Sequence, residues 1–498
     1  MRSARIQSLS RIRTWVVVII LGLLAIVLIR FMWPHANGNE AATVRAKYVW
    51  VQMLPAAHGQ PGGRLVRAIV TQGGGCPTIV EDRKPVQMNI RPAPARAAFP
   101  VVLCQAELAA ASDAWIGTRP LPARPSDPHD VIVIGDTGCR MVYYEPPQGC
   151  TSGLDWPFAA VASSAASVAA KSPSVVIHVG DFHYRENPCA EDSPACGGSP
   201  YGDNWATWEA EFFKPAAPLL LAAPWVILRG NHENCARAGA GWQYFFALPM
   251  QADQEDKAAC RNDLSSYRLS LGVTQDRRPR VLIVLDTADE RNSHGLAARC
   301  RTYEKWMDEI TWSDAEFWLA LHQPLWLRDA RNSTKDKQWD GPVPLDPCDQ
   351  AKSALDGIRA RFDKLADQRT ARLVLSGDTH LFEFFRPEKF TRPIQLVAGD
   401  GGTKLDRLEP PDTAATSGAS QDQTTSEMNK PVKSYGVDGV SSAIVQFGFV
   451  RMHLDRSIWT IDLIGLAGKT LVSCGFSESP ASDPPADHDP SCREAASQ

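Results

Sequence analysis

The sequence predicts a layered α/β protein preceded by a small all-β module and an N-terminal apolar helix. Three observations carry this. Six short runs, 131–134, 175–179, 225–228, 281–285, 317–321 and 373–375, are apolar throughout but for His178. Strands covered on both faces read this way, whereas half-exposed strands alternate. Helix-like stretches at 157–171, 205–217, 302–310 and 350–368 fall between several of these runs. Alternating strand and helix builds a layered core. Ahead of them, β-like runs at 48–54, 64–70, 86–90 and 99–108 are separated by Gly/Pro turns, among them Gly73-Gly74-Gly75. That spacing reads as a small β-sandwich-like module over 47–125.

The elements follow in order. Arg2, Arg5, Arg11 and Arg13 precede an apolar run over 15–29, then Arg30 and Phe31-Met32-Trp33. A basic flank before such a run marks export. Residues 1–35 are thus a signal peptide or, counted through Trp33 with Arg30 snorkelling, a signal anchor in the inner membrane over 15–33. No small-x-small cleavage pattern follows, which favours the anchor. Everything after residue 34 is then periplasmic or otherwise extracytoplasmic. The 12 cysteines all lie beyond the apolar run and include no CxxC pair. An even count in an exported chain implies disulfides. Sequential pairing (76–104, 139–150, 189–196, 235–260, 300–348, 474–492) is the simplest arrangement, although sequence leaves connectivity open.

Residues 36–46 read as a tether and 121–128, rich in proline, as a linker. The α/β region spans 130–475. Within it, 407–435 is polar and turn-rich and reads as a mobile surface loop. Closing strands are expected at 443–454, 457–463 and 470–472, and a polar tail over 476–498. At 498 residues two or three domains fit. A formal charge of −4 argues against nucleic-acid binding driven by bulk charge.

Five blocks stand after apolar runs: Gly135-Asp136-Thr137-Gly138, Gly180-Asp181-Phe182-His183-Tyr184, Gly230-Asn231-His232-Glu233, Leu321-His322-Gln323-Pro324 and Gly377-Asp378-Thr379-His380. Their carboxylates, imidazoles, carboxamide and phenol are oxygen and nitrogen ligands for cations. Asp181 can bridge two ions with its two oxygens. Tyr184, three residues on, can turn its phenol back to the same place, and a phenolate demands a strongly polarising ion because the free phenol has a pKa of about 10. Asn231 ligates without adding charge. His232 is placed to face a phosphate and give a proton to a leaving oxygen. Glu233 reads as an orienting group rather than a ligand. Each block alone is weak, because a Gly-Asp turn or a strand-end histidine is commonly structural. His129, His178, His294 and His453 are taken as structural or surface groups. Tyr201, Trp205, Trp208, Trp242, Tyr244, Gln323 and Trp326 lie near the blocks, with loop packing their expected role.

Taken together and in this order, the blocks resemble the calcineurin-like metallophosphoesterases, and the Gly-Asp-x-Gly and Gly-Asp-x-x-Tyr forms resemble the purple acid phosphatase branch. The resemblance implies a four-layer αββα sandwich and a dinuclear centre. Asp136, Asp181, Tyr184 and His380 would hold the first ion, Fe(III). Asp181, Asn231 and His322 would hold the second, Fe(II), Mn(II) or Zn(II). The implied activity is hydrolysis of a small-molecule phosphate ester, acid-phosphatase-like. A phosphodiesterase on the same scaffold and an envelope-tethered phosphate-ligand binder without turnover are the alternatives.

One block departs from the family pattern. Gly-His-x-His is expected where the chain has Gly377-Asp378-Thr379-His380, so Asp378 stands where a second-ion imidazole belongs. Asp136, Asp181, Tyr184 and Asp378 would bring four negative charges and a hydroxide a fifth, against five positive charges on a trivalent and divalent pair. A neutral site attracts a phosphate dianion weakly and favours harder ions at the second position.

Overall fold

The computed structural model describes residues 46–56, 62–71, 73–151, 153–251, 260–262, 264–292, 294–309, 315–326, 348–349, 351–364, 371–388, 392–408, 426–435, 437–455, 458–477 and 492–495. The expected apolar helix and tether lie outside these residues. Among the described residues no helix is long and apolar enough to cross a membrane.

Eight strands precede residue 121: β1 Tyr48–Met53, β2 Arg64–Thr71, β3 Thr78–Glu81, β4 Lys84–Gln87, β5 Asn89–Arg91, β6 Val101–Leu108, β7 Ala114–Ile116 and β8 Arg119–Pro120. The α/β region continues with β9 Asp130–Ile134, β10 Ser174–His178, β11 Trp225–Ile227, β12 Tyr267–Val273, β13 Pro279–Val284, β14 Glu316–Ala320, β15 Ala371–Ser376, β16 Phe382–Pro387 and β17 Ile394–Ala398. It ends with β18 Ser426–Ser434, β19 Val437–Ile444, β20 Gly448–Asp455, β21 Ile458–Gly465, β22 Thr470–Ser477 and β23 Arg493–Glu494.

These strands form two large sheets, ordered β23-β22-β21-β20-β9-β10-β11-β1-β2-β6-β5 and β12-β13-β14-β15-β17-β16-β19-β18, with a small third sheet β4-β3-β7-β8. Strand alternation makes the layers. Val131, Val133, Val175 and Ile177 of the first sheet pack with Leu282, Val284, Trp318, Leu373 and Leu375 of the second in one apolar cluster. Ile132, Ile134 and Val176 point the other way, against helix α1 (Phe158–Ala169), the helical segment Trp205–Phe213 and helix α2 (Gly239–Phe246). Ile283, Phe317, Leu319 and Val374 cover the far face of the second sheet with helices α3 (Leu296–Glu309) and α4 (Asp356–Lys364). The architecture is α, β, β, α, as expected.

Differences from the sequence reading have local causes. The run 86–90 splits at Met88, because β4 belongs to the small sheet and β5 to the first large one. The run 443–454 likewise splits into the end of β19 and all of β20, in different sheets. Gly448 starts β20 hard against Ile464, where a Cβ would not fit. Part of the expected loop over 407–435 is strand: β18 pairs antiparallel with β19, while 409–425 lie outside the described residues. The residues expected as a separate β module divide. Strands β1, β2, β5 and β6 extend the first large sheet, with β1 parallel to β11 through Gln52 opposite Trp225. Within the expected tail, β23 pairs back onto β22. All six disulfides are sequential: 76–104, 139–150, 189–196, 235–260, 300–348 and 474–492.

Candidate metal centre

Every block sits on a loop directly after a parallel strand: Asp136 after β9, Asp181 after β10, Asn231 and His232 after β11, His322 after β14, Asp378 and His380 after β15. Parallel strands in register release their loops at one edge of the sheet, the usual place for a site in α/β folds. Ile134 lies opposite His178, and His178 opposite Ile227. Ala320 lies opposite Leu375 in the second sheet. Glycine makes the loops meet. Gly180 has φ +107°, and a Cβ there would lie 2.6 Å from His322 Nδ1 and 2.8 Å from the Gly230 amide.

The side chains converge. Tyr184 Oη lies 3.0 Å from Asp136 Oδ1, 2.8 Å from Asp181 Oδ2 and 2.9 Å from His380 Nε2. His322 Nε2 lies 3.1 Å from Asp181 Oδ2, 3.2 Å from Asn231 Oδ1 and 3.6 Å from Asp378 Oδ1. Its tautomer is set from behind, by Nδ1 at 2.8 Å from the Val179 carbonyl. Asp136, Asp181 and His322 each offer one ligand atom, all within 4.8 Å of one another. Asp378 reaches the same place from the second sheet, and its amide donates to Asp136 Oδ2 at 3.1 Å.

Glu233 does not point at the cluster. It is fully buried and accepts the amides of Asp181, Phe182, His183 and Gly230 at 2.8–3.0 Å. One carboxyl thereby fixes the turn that presents Asp181. Burial, then the nearby charge of Asp181, raises its pKa to about 8.

His232 stands apart from the ligand atoms. Its ring lies tilted 36° against that of Tyr184, with centroids 3.8 Å apart, and Nε2 lies 3.9 Å from Asp181 Oδ2. Nδ1 meets Glu186 Oε1 at 2.8 Å, and Arg237 Nη2 donates to Nε2 at 3.2 Å. Burial works to raise the Glu186 carboxyl, but the hydrogen bond and charge of His232, with those of Arg237, bring it down to about 2. Sequence reasoning missed Glu186 and Arg237, although a carboxylate two residues after Tyr184 was a usable signal. It also missed Arg140, whose Nη1 lies 3.2 Å from His380 Nδ1, and Asp406, which accepts the His380 amide at 2.9 Å. Arg291, which donates to Asp378 Oδ2 at 2.5 Å, carried no signal at all.

His178, Trp208, Trp242 and Trp326 are fully buried or nearly so, and Tyr244 Oη donates to the Val101 carbonyl, so these groups pack rather than line a cleft. Tyr201 is exposed.

The donor set fits cations. One phenolic hydrogen cannot serve both carboxylates that face Tyr184, whereas a positive ion serves them together. Asn231 Oδ1 is aimed at acceptors, His322 Nε2 and Asp378 Oδ1. Turned over, its nitrogen would donate to Asp378 Oδ1 at 2.9 Å and its oxygen accept from Arg237 at 3.1 Å. In either orientation the Asn231 amide stands at the cluster, and with its oxygen inward it can serve a cation there. Burial works to lower the pKa of His322, yet Asp181, Asp136 and Asp378 drive it up to about 10. The cluster attracts positive charge.

The family model of calcineurin-like phosphoesterases matches residues 129–382. No curated protein sequence matches the chain significantly. Solved structures that resemble it include a purple acid phosphatase from yellow lupin (Lupinus luteus) seeds, 13% identical with TM-score 0.51, covering 86% of this chain and 74% of that one, and PhoD, 12% identical with TM-score 0.50, covering 93% and 94%. At these identities the likeness is one of fold. With the family match spanning just over half of the chain and the clustered ligand groups inside it, this protein belongs to the calcineurin-like phosphoesterases and is a phosphoric ester hydrolase.

Proposed function

We propose that the protein is an exported phosphomonoesterase with a dinuclear centre. In this reading Asp136, Asp181, Tyr184 and His380 hold the first ion, Fe(III). Asp181, Asn231, His322 and Asp378 hold the second, Fe(II), Mn(II) or Zn(II). The observation that carries it is the position of Tyr184 Oη, within 3.0 Å of two carboxylates and an imidazole. Bound cations supply the Lewis acidity that activates water and offsets phosphate charge. The chain's own residues do the rest. Glu233 holds Asp181 in its turn. Glu186 takes the Nδ1 hydrogen of His232, which leaves Nε2 to accept from Arg237. When Nε2 gives up that hydrogen bond it can take a proton from solvent on the side facing the cluster. That proton is given to the leaving oxygen. Arg237 holds Glu186 and His232 together. Six disulfides support an extracytoplasmic location, with residues 15–33 as the membrane anchor.

The test combines metal analysis with a panel of phosphate mono- and diesters. Two ions per chain, one of them iron, and a visible phenolate-to-iron absorption band that Tyr184→Phe abolishes are expected. Monoesters should turn over faster than diesters. Diester turnover alone moves the reading to a phosphodiesterase, and colourless zinc protein removes Tyr184 from the ligand set.

A further inference from the structure

The Asp378–Arg291 pair is the feature of this centre that the family pattern does not explain. The two oxygens of Asp378 face different ways. Oδ1 turns inward, 3.6 Å from His322 Nε2, and Oδ2 turns outward to Arg291 Nη2 at 2.5 Å. The Asp378 side chain is 8% exposed and that of Arg291 61%.

An exposed ion pair is ordinarily a weak and incidental thing. Three observations argue against that here. The loop that delivers Arg291 is tied to the ligand-bearing loops on several sides. Thr287 Oγ1 accepts the His322 amide at 3.2 Å and donates to Gln323 Oε1 at 2.5 Å. Asp286 pairs with the buried Arg229, just ahead of Gly230-Asn231. Glu290 accepts a hydrogen bond from Ser353. The base of Arg291 is therefore set by the same contacts that set His322 and Asn231.

The second observation is the pattern of charge. Arg140 and Arg237 also border the cluster, but each is paired with a carboxylate outside the ligand set, Glu145 and Glu186. Among the described residues Arg291 is the only arginine paired with a cluster carboxylate. Of the three guanidiniums it alone makes its direct ion pair with a carboxylate of the ligand set. The third is that Nη2 accounts for its one hydrogen bond among the described residues, so Nη1 and Nε still have hydrogens to offer at the mouth of the site.

We propose that Arg291 and Asp378 act as one unit in place of an imidazole. Asp378 Oδ1 serves the second ion, the guanidinium cancels the charge that a carboxylate brings in place of a neutral ring, and its remaining N–H groups receive a phosphate oxygen of the substrate. This rests on the dinuclear reading above and deepens it. Counting Arg291 returns the site from neutral to singly positive, the sign a phosphate dianion requires. Arg291 is a binding and positioning residue in this scheme, and Asp378 tolerates its position only because Arg291 is there.

A double-mutant cycle on the full chain tests it, read by metal content per chain and by inorganic phosphate affinity from calorimetry. Arg291→Ala should keep the first ion and weaken phosphate about ten-fold, the size of one charge-assisted hydrogen bond. Asp378→His alone leaves Arg291 without its partner beside two divalent or trivalent ions and should also lower second-ion occupancy. Combining Asp378→His with Arg291→Ala should recover second-ion occupancy and part of the lost phosphate affinity, because a neutral ring needs no compensating cation. Arg291→Lys should retain most phosphate affinity, since the charge stays. Strict additivity across the cycle, or unchanged phosphate affinity in Arg291→Ala holding two ions, overturns the inference while the dinuclear reading stands. Wild-type protein holding fewer than two ions overturns both.

Discussion

Three aspartates of the cluster share an unusual backbone. Asp136, Asp181 and Asp378 have φ of +52°, +57° and +65°. For a residue with a Cβ this region costs roughly 1–2 kcal/mol. Three such residues at one place mark a site whose turns are aimed rather than relaxed. The rest of the fold holds them there, with Glu233 under Asp181 and the Thr403 amide on the Asp136 carbonyl at 2.8 Å. Beside that clamp lies Asp400, 1% exposed, whose carboxyl oxygens find no partner among the described residues. Burial raises its pKa to about 7. The unfolded value is about 3.9. Below that pH both states hold the proton and the group takes nothing from stability. Between there and about 7 the unfolded chain ionises and the folded one does not, so stability falls as pH rises. Above the folded value the loss is complete. Asp400→Asn should therefore melt higher than wild type at pH ~8, with the gap closing near pH ~4. A gap equal at both pH values would mean that burial of charge is not what Asp400 contributes.

At the level of elements, the disulfides divide by what they hold. Cys139–Cys150 closes the loop that follows Asp136. Arg140 in that loop reaches His380, and Gln148 donates to the Gly402 carbonyl at 2.9 Å and accepts the Lys404 amide at 3.1 Å. Cys300–Cys348 closes a longer loop from helix α3, a helix that covers the far face of the second sheet. Chain entropy gives the longer loop the larger effect on stability, about 4 kcal/mol against about 3. Cys300→Ser/Cys348→Ser should lower Tm more, and Cys139→Ser/Cys150→Ser should lower kcat/KM more. Paired thermal melts and steady-state kinetics check this, and a variant ranking that is the same in both measurements would refute the division. The five blocks were legible because each follows an apolar run, and burial on both faces leaves no alternation to misread. Asp136, Asp181, His322 and His380 meet as the order of blocks implies. Glu186 was legible only as a carboxylate two residues after Tyr184, and Arg237, Asp406 and above all Arg291 were not legible, because their roles depend on loops that meet in space and not along the chain. Strand ends inside long apolar or polar stretches were equally hidden. Nothing in the residues of 443–454 announces a change of sheet at 445–447, and β18 is too polar to read as a strand.

For the molecule as a whole, the question is what the first strands do for the centre. Composition and turn spacing set 47–125 apart, and the small sheet β4-β3-β7-β8 keeps that character. Strands β1, β2 and β6 do not. Trp50 of β1 is fully buried against Phe213 and Phe246, and Arg67 of β2, also fully buried, donates to the Phe245 and Ala247 carbonyls at 2.6 Å. All of these partners but Phe213 lie in or next to helix α2, which begins six residues after Glu233. Removing residues 46–125 would expose the edge of β11 and the aromatic layer beneath it, from which the Gly230-Asn231-His232-Glu233 turn is carried. An open edge beside uncovered aromatics favours aggregation. A chain beginning at residue 126 should be insoluble or lack cooperative melting, whereas an independent module would be dispensable for folding. Milder removal of the same support, Trp50→Ala, should cost about 3–5 kcal/mol. It should also lower the occupancy of the second ion more than the first, because Asn231 rides on β11 while Asp136 and His380 do not. Urea unfolding with metal analysis of the soluble fraction measures both. A soluble truncated chain that melts cooperatively and holds two ions would show that β1 only borders the catalytic sheet and does not sustain it.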